Sequence, residues 1–287
     1  GGETWAERPA LGEIPSKPTW SFPPRPWTHH VRWIECDPHT PGKLYVAIEQ
    51  GGVMRSLDDG LTWEDRKPGA EIDGHTLGTH RLAPGLVYEA SGGSSPINED
   101  GSEAMIGKAA LTDLRGYQPR GFTLQDKAED AQVAPDIPPR KPPVVLIREG
   151  GYAESRDGGT TWETKLDGLN HHYMWSIAAD PGDPETLVMS AARGPQHAHV
   201  PAMAESFLYR RTKGKHWQMV GEGYAPSQGS VIAVLAAHPG ERGVIYAASN
   251  RGVYRSNDTG LTWAPLPLDW PDAFQKQHVQ WFTVGGA

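Results

Sequence analysis

Residues 155–162 read SRDGGTTW, and the same pattern, Ser-x-Asp-x-Gly-x-Thr-Trp, returns as SLDDGLTW at 56–63 and as SNDTGLTW at 256–263. The opening GGETW matches the end of another copy, and RRTKGKHW at 210–217 keeps the glycine and the tryptophan. In this pattern Asp can accept hydrogen bonds from backbone N–H groups further along, Gly can take a positive φ, and Trp can pack over the turn. Each copy therefore predicts a tight turn between two antiparallel strands.

The turns recur along the chain as parts of one repeated unit. Aligned on Trp, each unit reads as four short strands, and four-strand repeats with a spacing of roughly 40–55 residues are typical of β-propeller blades. We therefore predict an all-β propeller, one domain over 1–287, with five visible blades and with its N-terminal part missing. Residues 278–284 (HVQWFTV) are predicted to be a further innermost strand that closes the ring. The positions predicted to build the turns are Ser56, Asp58, Gly60, Trp63, Ser155, Asp157, Gly159, Trp162, Ser256, Asp258, Gly260 and Trp263.

Residues 93–143 break this rhythm with many prolines. One hypothesis is a long insertion between the second and third strands of one blade. The other is a degenerate sixth blade, because Trp63 and Trp162 lie about two repeat periods apart. Proline is excluded from central strands, so we favour the insertion. A shorter insertion is predicted at 193–204.

Composition bears on the classes of partner. The net charge is -8, with 27 basic and 35 acidic residues and no basic run, which disfavours nucleic acid or an anionic membrane as a partner. The apolar runs are far shorter than a membrane span. A single cysteine, Cys36, excludes an intrachain disulfide and leaves the compartment open. We expect a monomer.

The octapeptides resemble the Asp-box (BNR) repeats of sialidase-like β-propellers. The likeness extends to small bacterial BNR-repeat proteins that are called glycosyl hydrolase or exo-α-sialidase-like, and to WD40/YVTN-like repeats. It implies that the boxes are structural turns on the face opposite the ligand. The Phe/Tyr-Arg-Ile-Pro motif of true sialidases does not occur in the sequence.

Blade geometry predicts where a site would lie. The turn between strands three and four lies on one face, which we name the bottom face. The loop that enters strand one and the loop between strands two and three lie on the opposite, top face. Alignment of the innermost strands places His29, His75, His172 and Ser230 at one equivalent position, and 278–284 adds His278.

This concentration of histidines has three interpretations. The imidazoles can fill a polar channel mouth, bind a ligand, or hold iron or zinc through His29, His75, His172 and His278. His197 and His199, in the shorter insertion, are predicted to lie in a solvated loop. The candidate ligand-binding residues are His29, His75, His172, His278, Arg193, Asn250 and Arg251.

Three hypotheses for function follow. The first is a scaffold that binds a small molecule, a glycan or a protein through the top face. The second is an exo-acting glycoside hydrolase, sialidase- or xyloglucanase-like, which needs two carboxyl groups roughly 5–10 Å apart. Its catalytic candidates are Glu49, Glu89 and Asp73. The third is a metal-binding propeller with a ring of histidines.

Overall fold

In the computed structural model, which describes residues 3–20, 30–67, 69–92 and 150–285, the strands form four antiparallel sheets. Blade 1 contains β1 (His30–Cys36), β2 (Leu44–Glu49) and β3 (Gly52–Ser56). Blade 2 contains β4 (Gly74–Thr79), β5 (Val87–Ser91), β6 (Tyr152–Ser155) and β7 (Glu163–Thr164). Blade 3 contains β8 (Tyr173–Asp180), β9 (Asp183–Ala192), β10 (Ser206–Arg211) and β11 (Gln218–Val220). Blade 4 contains β12 (Val234–Ala237), β13 (Ile245–Ser249), β14 (Gly252–Ser256) and β15 (Ala264–Pro265).

Helical structure in the described residues is confined to short pieces. One helix, α1, spans Pro195–His199, and single 3-10 turns span Pro9–Glu13, Lys17–Thr19 and Phe274–Lys276. None of the described helices is long and apolar enough to cross a membrane.

The four sheets follow one another in chain order. The first strand of each blade packs beside the first strand of the next, so that β1, β4, β8 and β12 form an inner row. Within each sheet the strands run in sequence order from this row outward. The predicted all-β propeller is therefore confirmed. Strand β2 packs on the core shared with blade 2 on one face and on Ile14 and Trp20 of the N-terminal segment on the other, which explains why it reads as the apolar run LYVAIE.

The number of blades differs from the prediction: five were expected, and the described residues contain four. Residues 278–284 form no strand, because they join the neighbouring blades through side chains rather than through a backbone ladder. Val279 and Phe282 pack on the core of blades 3 and 4, and the ring of Trp281 lies 5.0 Å from that of Trp33. Trp5, at the end of the opening partial copy, is 91% exposed and lies outside every sheet.

The three complete octapeptides form the same turn. In the copy at 155–162, Ser155 Oγ accepts the N–H of Gly159 at 2.7 Å, and Asp157 Oδ1 accepts the N–H of Thr161 at 2.9 Å. The corresponding bonds in the other two copies measure 2.7–2.9 Å. Two of these turns join β6 to β7 and β14 to β15, so they lie at one end of the sheets, the bottom face.

The tryptophans of the turns pack between blades. Trp162 joins Tyr45 and Leu77 in the core between blades 1 and 2, while Trp217 and Trp263 lie in the next two cores along the row. Burial of such a ring stabilises the fold by about 2–3 kcal/mol. The turns that end at these three tryptophans are thus tied to the contact between neighbouring blades as well as to their own hairpins.

Strands β5 and β6 are neighbours in one sheet, with Val87 paired to Ser155 and Ala90 to Tyr152. This is the connection that an insertion between the second and third strands requires. Residues 93–149 lie outside the described residues, so the assignment of 93–143 stays a prediction.

Candidate functional site

A group of acidic residues and one histidine lies at the top of blades 1 and 2. Glu49 ends β2, Asp73 precedes β4, and His75 is the second residue of β4. One donor atom from each of these three side chains lies within 4.8 Å of the other two. We name these three residues, together with the nearby Glu89 of β5, the acid–His cluster.

The orientation of His75 is fixed by the neighbouring blade. Its side chain is fully buried, and Nδ1 lies 2.5 Å from the carbonyl oxygen of Met174 in β8. A carbonyl oxygen only accepts, so Nδ1 carries the hydrogen and the lone pair of the neutral ring is on Nε2. That Nε2 has no hydrogen-bond partner and lies 3.6 Å from Asp73 Oδ2.

Burial disfavours the ionised form of the carboxyl groups in the cluster. Burial raises the pKa of Asp73 to about 6; His75 opposes this effect, and the negative charge of Glu49 adds to it. Burial, reinforced by the negative charge of Glu71, also raises the pKa of Glu89 well above its usual range. One oxygen of Glu89 accepts the N–H of Glu71 at 3.1 Å, and the other has no partner.

Rings from blade 3, α1 and the C-terminal segment line the neighbouring part of the top face. We name Tyr173, Trp175, His199 and His278 the aromatic wall. The Tyr173 hydroxyl is 2.8 Å from His199 Nε2, and His199 Nδ1 is 3.2 Å from His278 Nε2. The ring of His75 lies 4.7 Å from that of Trp175, so the wall continues into the acid–His cluster.

Arg32 of β1 completes this surface. Its guanidinium group stacks 4.1 Å above the ring of Trp175, and burial lowers its pKa, with the charge of Glu49 acting in the opposite direction. The site therefore combines a cation, three carboxylates, imidazoles and an indole.

Unsatisfied polar atoms are concentrated in this region. Among the described residues, eight buried side-chain nitrogen or oxygen atoms have no hydrogen-bond partner. Five of them belong to the cluster or its neighbours: Arg32 Nε, Asp73 Oδ1, His75 Nε2, Glu89 Oε1 and Trp175 Nε1. Since buried polar groups are normally paired, this concentration singles out the region as the candidate functional site.

The structure brings only part of the predicted site together. All three catalytic candidates, Glu49, Glu89 and Asp73, meet around His75. His278 lies on the aromatic wall, bound to His199, and His172 Nδ1 is 3.2 Å from the carbonyl of Gly150.

His29 lies outside the described residues. Within the described residues, the one group of three or more potential metal donors is Glu49, Asp73 and His75, and the ring of four histidines, which includes His29, stays a prediction.

The remaining ligand candidates lie on loops of blades 3 and 4. Arg193 is exposed and 3.5 Å from Glu205, and Arg251 Nη2 donates to the carbonyl of Gln228 at 3.3 Å. Asn250 is buried: its Oδ1 accepts the N–H of Val231 at 2.9 Å, and its Nδ2 donates to backbone carbonyls at 2.9 and 3.0 Å. These contacts give Asn250 a structural role.

Two features of the site were not predicted from the sequence. The predicted solvated loop around His199 instead forms α1, where Ala198 is buried and accepts the N–H of Ile232 at 2.8 Å, which turns His199 towards the wall. Trp175 and Arg32 come from blades 3 and 1, and no sequence pattern predicts that their side chains meet. The Pro-x-x-Ala of α1, with proline at its first turn, was the available signal for a helix.

No family model matches the sequence. Among curated proteins, anoctamin-8 of Homo sapiens is 33% identical over 111 residues, which is 39% of this chain and 7% of anoctamin-8. The chain therefore spans a small fraction of that protein's length.

Two solved structures are similar in fold. An ancestral GH74 enzyme matches with a TM-score of 0.51 and 15% identity, over 82% of this chain and 24% of that one. The GH74 enzyme of Niastella koreensis matches with a TM-score of 0.50 and 13% identity, over 86% of this chain and 31% of that one. The likeness shows the propeller fold, and this chain corresponds to a part of each enzyme.

Proposed function

We propose that this protein is an Asp-box propeller that binds a polar small molecule, of the carbohydrate class, at the top of blades 1–3. The observation that carries the proposal is the concentration of unpaired donors and acceptors beside the aromatic wall. Arg32 Nε and Trp175 Nε1 can only donate, whereas Asp73 Oδ1 accepts when ionised. A sugar hydroxyl both donates and accepts, and the apolar face of a sugar ring packs on indoles.

Separate, buried polar atoms suit contacts with a small molecule better than contacts with the flat surface of a protein partner. His75 and Glu89 are fully buried, and Trp175 is 7% exposed. A ligand that reaches them must present individual polar groups rather than a broad face, so a glycan is favoured over a protein partner.

The test is binding of a panel of neutral and sialylated oligosaccharides, measured by calorimetry in the presence of EDTA. Arg32→Met and Trp175→Phe should each weaken the best ligand by about tenfold or more, since each removes a buried donor. Arg156→Met, on the bottom face, should leave its affinity unchanged. Binding that is equally strong in all variants, or no binding by any oligosaccharide, contradicts the proposal.

A second candidate function, glycoside hydrolysis, is favoured by the Glu49–Asp73 pair. One carboxylate oxygen of each residue lies within 4.8 Å of the other, which is close to the separation of about 5–5.5 Å in a retaining pair of carboxyl groups. Burial raises the pKa of Asp73 to about 6, which suits a general acid in weakly acidic solution. In this mechanism Asp73 protonates the leaving oxygen and Glu49 attacks the anomeric carbon.

Hydrolysis of aryl glycosides checks the second candidate. Glu49→Gln and Asp73→Asn should each lower kcat by at least a hundredfold, and Glu205→Gln, on a top-face loop, should not. Equal activity in all three variants excludes this candidate while leaving glycan binding open.

A further inference from the structure

We infer that Glu49, Asp73 and His75 form a binding site for a divalent transition-metal cation, Zn²⁺ or Mn²⁺. The inference does not depend on a glycan ligand: it concerns three side chains of the acid–His cluster and leaves Arg32 and Trp175 available to a ligand.

The first argument is the geometry of His75. Its Nδ1–H is directed to the Met174 carbonyl, which is the arrangement that orients metal-binding histidines in proteins. The lone pair on Nε2 faces Asp73 Oδ2 at 3.6 Å, too far for a hydrogen bond. Two acceptors that face each other inside a protein require a cation or a proton between them.

The second argument is that other residues hold both carboxylates in place. His30 Nδ1 lies 2.8 Å from Glu49 Oε2. The amide groups of Gln50 lie near Asp73 and act to lower its pKa, and Gln50 has a backbone φ of 56°. Residues other than Gly rarely adopt this left-handed backbone conformation, and such strain is typical of functional sites.

The third argument is the close approach of the backbone to the donors. Gly92 follows β5 and donates its N–H to the carbonyl of Asp73 at 2.9 Å. A Cβ at this position would overlap both the Asp73 carboxylate and the His75 ring, so the present arrangement of these two donors requires glycine here.

The donor set decides the class of metal. An imidazole nitrogen disfavours Ca²⁺ and Mg²⁺, and two carboxylates without a thiolate disfavour Cu⁺; Zn²⁺ and Mn²⁺ accept both donor types. Metal–ligand bonds of about 2.0–2.2 Å place the donor atoms roughly 3–4 Å apart. The three donor atoms lie within 4.8 Å of one another, so a small rotation of the Glu49 side chain brings them to this spacing. Three protein donors leave coordination positions for water or a ligand oxygen.

The test is titration of EDTA-stripped full-length protein with ZnCl₂ and with MnCl₂ by calorimetry. We expect one cation per chain, and a loss of affinity of at least a hundredfold in Asp73→Asn and in His75→Gln. Glu49→Gln, at the rim of the site, should lose at least tenfold and provides a second variant if His75→Gln unfolds. Near-UV circular dichroism checks that each variant keeps its fold.

The matched control is His172→Gln, the equivalent histidine of the next blade, which has no carboxylate at the corresponding positions. Its affinity should stay within threefold of the wild type. With Mn²⁺ bound, electron spin-echo spectroscopy should detect one imidazole nitrogen, and this signal should disappear in His75→Gln. No stoichiometric cation in the wild type, or equal losses in His172→Gln, overturns the inference, whatever the result for oligosaccharides.

Discussion

Two buried glutamates on neighbouring strands of blade 2 have opposite environments. Glu154 of β6 accepts hydrogen bonds from Lys165 at 2.7 Å and Arg211 at 2.5 Å, and these outweigh burial and lower its pKa to about 2. Glu89 of β5 is bonded by one backbone N–H, and its pKa is raised. Glu154 lies near the bottom face, and Glu89 points into the acid–His cluster.

The difference separates an acid with a complete set of hydrogen-bond donors from acids without one. Burial is common to both residues, so burial by itself indicates nothing about function. At Glu154, Tyr152 and Arg156 complete a set of donors, and the charge becomes part of the packing. At Glu89 and Asp73 one oxygen of each carboxylate is left without a partner, which costs stability unless something binds there.

The largest effect on stability is expected when one of the hydrogen-bond donors to Glu154 is removed. Arg211→Met should destabilise the protein by about 3 kcal/mol, because it leaves a buried carboxylate with fewer cations. Urea denaturation measures the change. Arg193→Met, in an exposed pair, should alter the free energy of unfolding by less than about 0.5 kcal/mol. Similar small effects in both variants would mean that Glu154 is not held by its ion pair.

Neutralisation of Glu89 should increase the free energy of unfolding at high pH, whereas Arg211→Met should decrease it. Its folded-state pKa lies above the ordinary value, so its contribution to stability is present below about pH 4 and is lost as the pH rises through the folded-state pKa. In EDTA, Glu89→Gln should therefore be more stable than the wild type at pH 8 and should lose this advantage towards pH 4.

Urea denaturation at several pH values follows the effect. Glu154→Gln is the control, and it should be less stable than the wild type at both ends of this range. If Glu89→Gln is destabilised at pH 8 as Glu154→Gln is, the contrast between the two glutamates fails.

A smaller effect is expected at the aromatic wall. Burial lowers the pKa of His278 to about 4, and the positive charge of Arg32 acts in the same direction. Burial also lowers the pKa of His199 well below its usual range, and the charges of His278, His75 and Arg32 lower it further. Their contribution to stability is present above about pH 6.5 and is lost as the pH falls through the folded-state values.

Thermal unfolding between pH 7 and pH 4 should show this loss, and His199→Phe should reduce it. Tryptophan fluorescence should change over the same range, because Trp175 contacts both imidazole rings. A pH profile that is identical in His199→Phe would contradict the assignment.

The smallest effect concerns the octapeptide turns. Ser155→Ala leaves the N–H of Gly159 without its acceptor and should cost about 1 kcal/mol, measured by urea denaturation. Binding of cations and oligosaccharides should not change, because this turn lies on the bottom face. A loss of binding with the fold intact would show that the two faces are coupled.

The sequence was most informative where contacts are local. The octapeptide turns close within a few residues, so their pattern predicted the hairpins, the propeller and the face on which carboxylates should gather. The cluster itself depends on contacts between blades, such as His75 with Met174 and Arg32 with Trp175, which are far apart in sequence. Residues 3–5 of the partial N-terminal copy and the apolar segment 278–284 resembled strands in pattern but pair with none, which is why the described residues contain four blades and not the five expected.

The adjacency of β5 and β6 has a consequence for the connection between them. The two strand ends are joined at the top, where Ser91 donates its N–H to the carbonyl of Gly151 at 2.9 Å and Gly92 donates to Asp73. A connection that starts and finishes at one point can change in length cheaply, because a tenfold change alters the closure entropy by only about 2 kcal/mol. The distance between the ends of β5 and β6 therefore does not depend on the length of the connection, and a longer or shorter connection leaves the pairing of these two strands unchanged.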